Sequence, residues 1–275
     1  MNRSKLREFA ENIRKCVIET AYKSKQSVHI GGALSMADIL AVLYGKVMHY
    51  DPQNTEDENR DRLILSKGHA CISLYAVLNI LGVISDDELI ANYQTDGGFL
   101  PVHTVKNVSK GIECTSGSLG MGLSFGVGKA IAAKLDKKSY KVYVIIGDGE
   151  CNEGEIWEAA AAAKQYKLDN LILIIDKNMY QLDGKTEDIM NIDLAAVLEG
   201  FGWKVDKTDG NNIEELEDAL DSASNNNDNV PYAIVANTVK GKGVSFMEND
   251  NAWHHGNLTE KLYYAAKEEL CNDRN

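Results

Sequence analysis

Apolar positions along the chain recur with two periods. Leu6, Phe9, Ala10, Ile13, Val17 and Ala21 fall three and four apart, which predicts a helix over residues 3–24. The same spacing predicts a helix in "SMADILAVLYGKVM". "HACISLYAVLNIL" has no polar face and predicts a buried helix. "SDDELIANY" opens with Ser85 and Glu88 at the separation of a capping box. Farther on, continuous apolar runs at 142–146, 171–175, 203–206 and 232–237 predict four strands. Helical patterns at 155–167, 192–200 and 212–223 separate them.

Strands alternating with helices imply a parallel sheet, because each strand must be carried back by a crossover before the next can run alongside. The expected architecture is therefore α/β: a doubly wound, mostly parallel sheet with helices on both faces. It forms one domain over residues 1–275, since no Pro-rich hinge or internal repeat divides the chain.

Two segments depart from this regular pattern. Between Asn92 and Ser118 lies a stretch with Gly97, Gly98, Pro101, Gly111 and Gly117, long for a loop without structure of its own and so a candidate for function. After it, "SLGMGLSFGVGKAIAAKLD" reads as a helix rich in glycine, which costs up to about 1 kcal/mol per residue against alanine. Something must approach closely. At Gly122 and Gly126 that is another packed element or a ligand; at Gly117 and Gly120, at the helix start, the expectation is a ligand.

Composition narrows the class. Hydrophobic residues make up 44% and charged residues 25%, ordinary values for a folded soluble chain. A formal charge of −12 argues against a general nucleic-acid binder, while leaving room for a phosphate ligand neutralised by a metal. The five cysteines are scattered and contain no C-x-x-C, which suits reduced thiols in the cytoplasm better than disulfides or zinc. No run approaches the ~18 apolar residues of a membrane span, so no membrane partner is expected.

The sharpest local signal is "VYVIIGDGECNEGEIWEAAAAAKQYKLDNLILIIDKN". One apolar run ends in Gly147-Asp148-Gly149 and the next in Asp176-Lys177-Asn178. In a right-handed βαβ unit both strand ends emerge on the same edge of the sheet, where ligands of open α/β sheets bind. A carboxylate and an amide oxygen side by side suit Mg²⁺, which takes few protein ligands and completes its shell with phosphate and water. Gly147 and Gly149 would let phosphates reach the backbone. By itself "GDG" also fits an ordinary Gly-Asp turn.

A GDG followed about 30 residues later by Asn resembles the thiamine diphosphate motif, here running from Gly147 to Asn178 and on into "MYQLDG". "RDRLILSKGHACISLYAVL", "GIECTSGSLGMGLSFGVGKAIAAKLD" and "NTVKGKGVSFMENDNAWHHG" resemble, in order, segments of the transketolase family. The resemblance covers nearly the whole chain and implies the diphosphate-binding (PP-type) domain of the thiamine diphosphate fold. The α-subunits of 2-oxo acid dehydrogenases share the GDG…N pattern, but "SKGHA" and "VKGKGVSFMEN" favour transketolase.

The resemblance implies roles residue by residue. Asp148 and Asn178 would ligate Mg²⁺ (or Ca²⁺ or Mn²⁺) by side chain, and Tyr180 by its carbonyl. Gly149 would touch the diphosphate, with His69 and His255 bonded to the same region. Gly117 and Leu119 would line the aminopyrimidine pocket. Glu153 and Glu158 follow the GDG, the first at a subunit contact linking two cofactor sites. His29 and His103 would line the substrate channel and handle sugar hydroxyls, whereas His49 and His254 read as structural or surface histidines.

The family's full chains are about twice this length. Their second half carries the pyrimidine-binding domain and the glutamate that activates the cofactor. The resemblance therefore implies the N-terminal subunit of a split transketolase, with a separate C-terminal subunit, sugar substrates and an α2β2 assembly. Two departures stand out: Val28 and Ile30 flank His29, and "PVHTV" surrounds His103. Both are expected beside the channel and argue against an ordinary pentose phosphate. The alternatives are a modified sugar, a sulfonated sugar or an acyl donor such as pyruvate, with transfer of a two-carbon ketol unit from a ketose to an aldose ranked first. A non-catalytic subunit that kept the fold is the reading from another class.

Overall fold

A computed structural model describes residues 1–272. The chain opens with α1 (Arg3–Ser24), capped by the Asn2 side chain. A short helix, α2 (Gly31–Ser35), breaks off at the start of the expected second helix, which is two pieces: α3 (Ala37–Val42) and a π-helical turn over Leu43–Val47. The break falls at Met36, whose ψ of 8° leaves the helical range. Strand β1 (Arg62–Leu65) follows, then α4 (Cys71–Ile80) and α5 (Asp86–Asn92). Residues 71–78 of α4 are all buried, as its missing polar face requires, and both hydrogen bonds of the Ser85–Glu88 capping box are formed.

After the long irregular segment come α6 (Met121–Leu135), β2 (Val142–Gly147), α7 (Gly154–Gln165) and β3 (Leu171–Lys177). A short hairpin, β4 (Tyr180–Gln181) and β5 (Gly184–Lys185), leads to α8 (Thr186–Ile189) and α9 (Leu194–Gly200). The rest is β6 (Lys204–Asp209), α10 (Ile213–Ser224), β7 (Tyr232–Asn237) and α11 (Glu260–Asn272).

Five strands form one sheet in the order β1-β2-β3-β7-β6, all parallel. Both faces are covered. Val142, Val144 and Ile146 of β2 turn to one core with α6, α7 and α9, while Tyr143 and Ile145 turn to another with α1, α3, α4 and α10. Burial on both sides explains why the central strands read as continuous apolar runs rather than as alternation. The four anticipated strands are present. The fifth, β1, was missed because "RLIL" is four residues long and opens on an arginine.

Parallel pairing gives the sheet one carboxyl edge. The loops after β1, β2, β3 and β7 all leave from it. The β2–β3 register sets Gly147 opposite Asp176, so Asp148 and Asn178 leave the sheet together.

Candidate cofactor site

Those four loops, with segments around His29 and His103, enclose a cavity of about 350 Å³. Small-molecule pockets begin at about that size. The β1 loop contributes Lys67 and His69, the β2 loop Gly147 to Glu150 with Asn152 and Glu153, and the β3 loop Asn178 and the hairpin. The β7 loop contributes Lys240, and the turn near the end of the chain contributes His254. Gly117, Leu119 and His103 come from the long irregular segment, so its length is explained by what it delivers.

Asp148 is buried and accepts hydrogen bonds at Oδ2 from the Met179 backbone N–H at 2.8 Å and the Thr186 hydroxyl at 3.2 Å. Burial, then the nearby Asp176 carboxylate, pushes its pKa up to about 6. A cation beside it would offset both effects. Asn178 is also buried; its Oδ1 accepts from the Tyr180 N–H at 3.2 Å, and Tyr180 lines the same cavity. An acidic carboxylate, an amide and a nearby carbonyl form a donor set of the hard-oxygen kind that Mg²⁺ takes.

The glycines separate by function. A Cβ built on Gly147 meets nothing within 4 Å, so the backbone there opens onto the cavity. Gly149 instead lets the hairpin close in, since its Cβ would lie 2.6 Å from that of Gln181. Gly117 lines the cavity at φ 132°, as expected of a ligand-facing glycine. Gly120 does not line it: its N–H donates to Glu150 Oε1 at 2.8 Å, and its φ of 85° turns the chain into α6. Gly122 packs on Ser66 and Gly126 on Val144, which resolves both in favour of close packing.

Lys67, Lys240 and Glu150 lie inside the "SKGHA", "VKGKG" and "GDGE" stretches, but the sequence reading gave none of them a role. Glu150, 3% exposed, accepts from Gly120 N–H, Gly147 N–H and the Ser66 hydroxyl, and so pins three loops; burial raises its pKa. Lys67 pairs with Asp176. Lys240 is 1% exposed and, among the described residues, has no carboxylate partner. Its Nζ donates to Asn251 Oδ1 at 2.8 Å and lies 3.2 Å from His254 Nδ1. Burial, then the charge of Lys67, lowers its pKa to about 8.

The histidines cluster. His29 lies with its ring centroid 5.2 Å from that of His69 and 6.1 Å from that of His103. Burial dominates their titration: His29 falls to about 3, His254 to about 4, His69 well below the ordinary imidazole range, and His103 downward. At neutral pH these rings are uncharged and can both donate and accept. His29 Nδ1 is buried and has no partner among the described residues, an atom that a bound hydroxyl or water would satisfy.

Several expected residues lie elsewhere than anticipated. His255 is not part of the cavity lining, whereas His254, read as structural, is. Backbone bonds in both directions between Val28 and Gly256 set His255 against the His29 ring, at 4.4 Å between centroids. Val28 and Ile30 are 1% and 0% exposed and belong to the core, so those departures around His29 say nothing about the channel. Thr104, beside His103, is turned inward too, with its hydroxyl on the Cys114 carbonyl at 3.0 Å. Of the two glutamates after the GDG, Glu153 lines the cavity and Glu158 lies exposed on α7.

A parallel α/β sheet whose carboxyl edge holds a GDG carboxylate, a strand-end asparagine and buried lysines defines a thiamine diphosphate-binding fold. Residues 6–275 match the family described as "Transketolase, thiamine diphosphate binding domain", and the chain belongs to the transketolase family as this N-terminal portion. It is 42% identical over 262 residues to one subunit of the apulose-4-phosphate transketolase of Phocaeicola vulgatus, covering 95% of this chain and 92% of that protein. It is also 42% identical over 266 residues to the 6-deoxy-6-sulfo-D-fructose transketolase subunit SqwG of a Clostridium species, covering 96% of each. The solved transketolase of Leishmania mexicana superposes with a TM-score of 0.90 at 30% identity, over 97% of this chain and 41% of that one. The chain thus spans less than half the length of that transketolase. Among the described residues, no helix is long and apolar enough to cross a membrane.

Proposed function

We propose that this chain, residues 1–275 acting as one unit, is the N-terminal subunit of a two-chain transketolase. It binds thiamine diphosphate through Mg²⁺. With a separate C-terminal subunit, in an α2β2 assembly in the cytoplasm, it moves a two-carbon ketol unit from a ketose to an aldose. The observation that carries the reading is the convergence of Asp148, Asn178 and Lys240 from three adjacent strand ends on one cavity.

When bound, thiamine diphosphate supplies the electron sink for carbon–carbon bond cleavage. The chain's own part is binding and orientation. Asp148, Asn178 and the Tyr180 carbonyl would hold the cation. Lys240, a buried ammonium without a carboxylate partner among the described residues, would face the diphosphate, with Gly147 leaving it room. His69 and His254 are neutral donors for the same region. His29 and His103 can exchange hydrogen bonds with sugar hydroxyls without adding charge. Gly117 and Leu119 would face the aminopyrimidine ring, and Glu153 the linkage between sites. His255, tilted against His29 with 4.4 Å between ring centroids, supports that ring from outside the cavity.

Leu119, Met121 and Phe125, at the start of α6, are 38%, 51% and 38% exposed beside the cavity. Such a patch supports a partner seated at its mouth. The free thiols support a reducing compartment. Relatives named for apulose-4-phosphate and for 6-deoxy-6-sulfo-D-fructose support a donor outside the common pentose phosphates. Native mass spectrometry of the chain isolated gently from its own cells tests the assembly. A second chain with thiamine diphosphate and magnesium, followed by ketol transfer in a donor screen, is the expected result. A cofactor-free homo-oligomer without ketol transfer would overturn it.

A further inference from the structure

Behind the candidate cation site sits a carboxylate that the proposed chemistry does not use. Asp176 is 0% exposed, two residues before Asn178 on β3. Its Oδ2 accepts from the Ser35 hydroxyl at 2.6 Å and pairs with the Lys67 ammonium. Its Oδ1 accepts from the Thr238 hydroxyl, and the Asn178 Nδ2 approaches Oδ2 at 3.5 Å. Lys67 is itself 1% exposed and also donates to the Gly32 carbonyl at 3.0 Å. A charge is buried only at high cost unless it is paired and hydrogen-bonded, and here every partner is supplied by a different element.

The geometry points to Asp176 as a positioning residue that sets which end of the Asn178 amide faces the cation. An amide has two ends of nearly equal size, one donating and one accepting, and shape alone does not choose between them. A carboxylate can only accept. Placed behind Asn178 it draws Nδ2 inward, while the Tyr180 N–H holds Oδ1 at 3.2 Å from the other side. Both bonds select the rotamer that leaves the oxygen available to a hard cation. Ser35, Lys67 and Thr238 in turn keep the Asp176 carboxylate from competing with Asp148 for that cation. Asn211 braces the arrangement from outside: its Nδ2 donates to the Ser35 carbonyl at 3.2 Å and its Oδ1 accepts from Val239 N–H at 2.8 Å, beside Thr238.

This inference rests on the reading of Asp148 and Asn178 as cation ligands, and the test separates the two. Mn²⁺ is titrated by electron paramagnetic resonance into the full chain with saturating thiamine diphosphate. Asp176→Asn is expected to weaken Mn²⁺ about 10- to 100-fold, as loss of an orienting partner does. Ser35→Ala, which removes a single bond from Asp176, is expected to weaken it about threefold, on the smaller scale of one hydrogen bond. The Asp176→Asn/Asn178→Asp double variant reverses donor and acceptor and is expected to bind Mn²⁺ as Asn178→Asp alone does. Asn178→Asp adds a charge and leaves two equivalent oxygens, so the comparison is with that single variant. A positioning role predicts that Asp176→Asn costs nothing in that background, whereas a merely structural role gives the same loss as in the wild type. If Asn178→Ala binds Mn²⁺ like the wild type, the ligand assignment fails. If Asn178→Ala loses Mn²⁺ but Asp176→Asn and Ser35→Ala bind normally, or Asp176→Asn costs as much beside Asn178→Asp as in the wild type, the positioning role alone is overturned.

Discussion

The Met179 backbone N–H donates to Asp148 Oδ2 at 2.8 Å, so the loop leaving β3 is fastened to the carboxylate that ends β2. Met179 makes this bond with φ at 67°, a left-handed conformation unusual for a residue other than glycine. The GDG carboxylate and the loop that carries Asn178 are thus held together by a backbone bond. The site also carries a cost, since Asp148 is buried near Asp176.

A cation that removes that cost should stabilise the fold. Mn²⁺ with thiamine diphosphate is expected to raise the melting temperature of the wild type. At free ligand near 100 times its dissociation constant, mass action gives about 2.7 kcal/mol. Asp148→Ala should show no such increment. Thermal denaturation with and without the pair checks this, and an equal shift in the variant would remove Asp148 from the site.

Two glycine-to-alanine changes should separate binding from folding. Gly147→Ala adds a methyl into open cavity, so the melting temperature should hold while cofactor affinity drops. Gly122→Ala drives the methyl into Ser66 and should cost about 1–3 kcal/mol of stability, the range of an overpacked core. Urea denaturation and cofactor titration on both variants give the comparison.

The depressed pKa of Lys240 predicts a pH dependence of anion binding. Its ammonium loses its proton as pH rises through about 8, so affinity for inorganic pyrophosphate should fall between pH 7 and 9. Lys240→Met should bind weakly throughout and show a flatter profile. Calorimetric titration across that range tests the assignment.

The buried histidines predict acid sensitivity. Their folded-state values lie below the ordinary 6.5, near 3 for His29 and 4 for His254, so the unfolded chain takes up protons first as pH falls. The stability they contribute is present above pH 6.5 and is lost as pH drops from there toward 4. Urea midpoints should decline across this window, and His254→Gln should decline less steeply.

Much of this was legible in the chain itself. The lengths and apolar continuity of 142–146 and 171–175 required strands buried on both faces. The GDG and the asparagine at successive strand ends placed Asp148 and Asn178 on the same edge of the sheet, because a right-handed crossover returns the chain to a parallel strand. That the two strands are neighbours came from the β2–β3 pairing. His69 was marked by its place in "SKGHA", and Gly117 by its position ahead of a glycine-rich helix.

Other features depend on contacts between residues far apart in sequence, and no local pattern encodes those. Lys67 meets Asp176 across 109 positions, and Lys240 enters the cavity because β7 sits next to β3. The setting of His255 against His29 follows from the Val28–Gly256 bridge, and the inward turn of Val28 and Ile30 from the core they fill. Periodicity fixes which face of an element is apolar; it is silent on which loop lies against which. By itself the sequence determined four of the five parallel strands, their common carboxyl edge and the presence of the Asp148 and Asn178 side-chain oxygens there. Only the tertiary structure decided which charges stand behind those oxygens, because burial and pairing arise when separate loops converge.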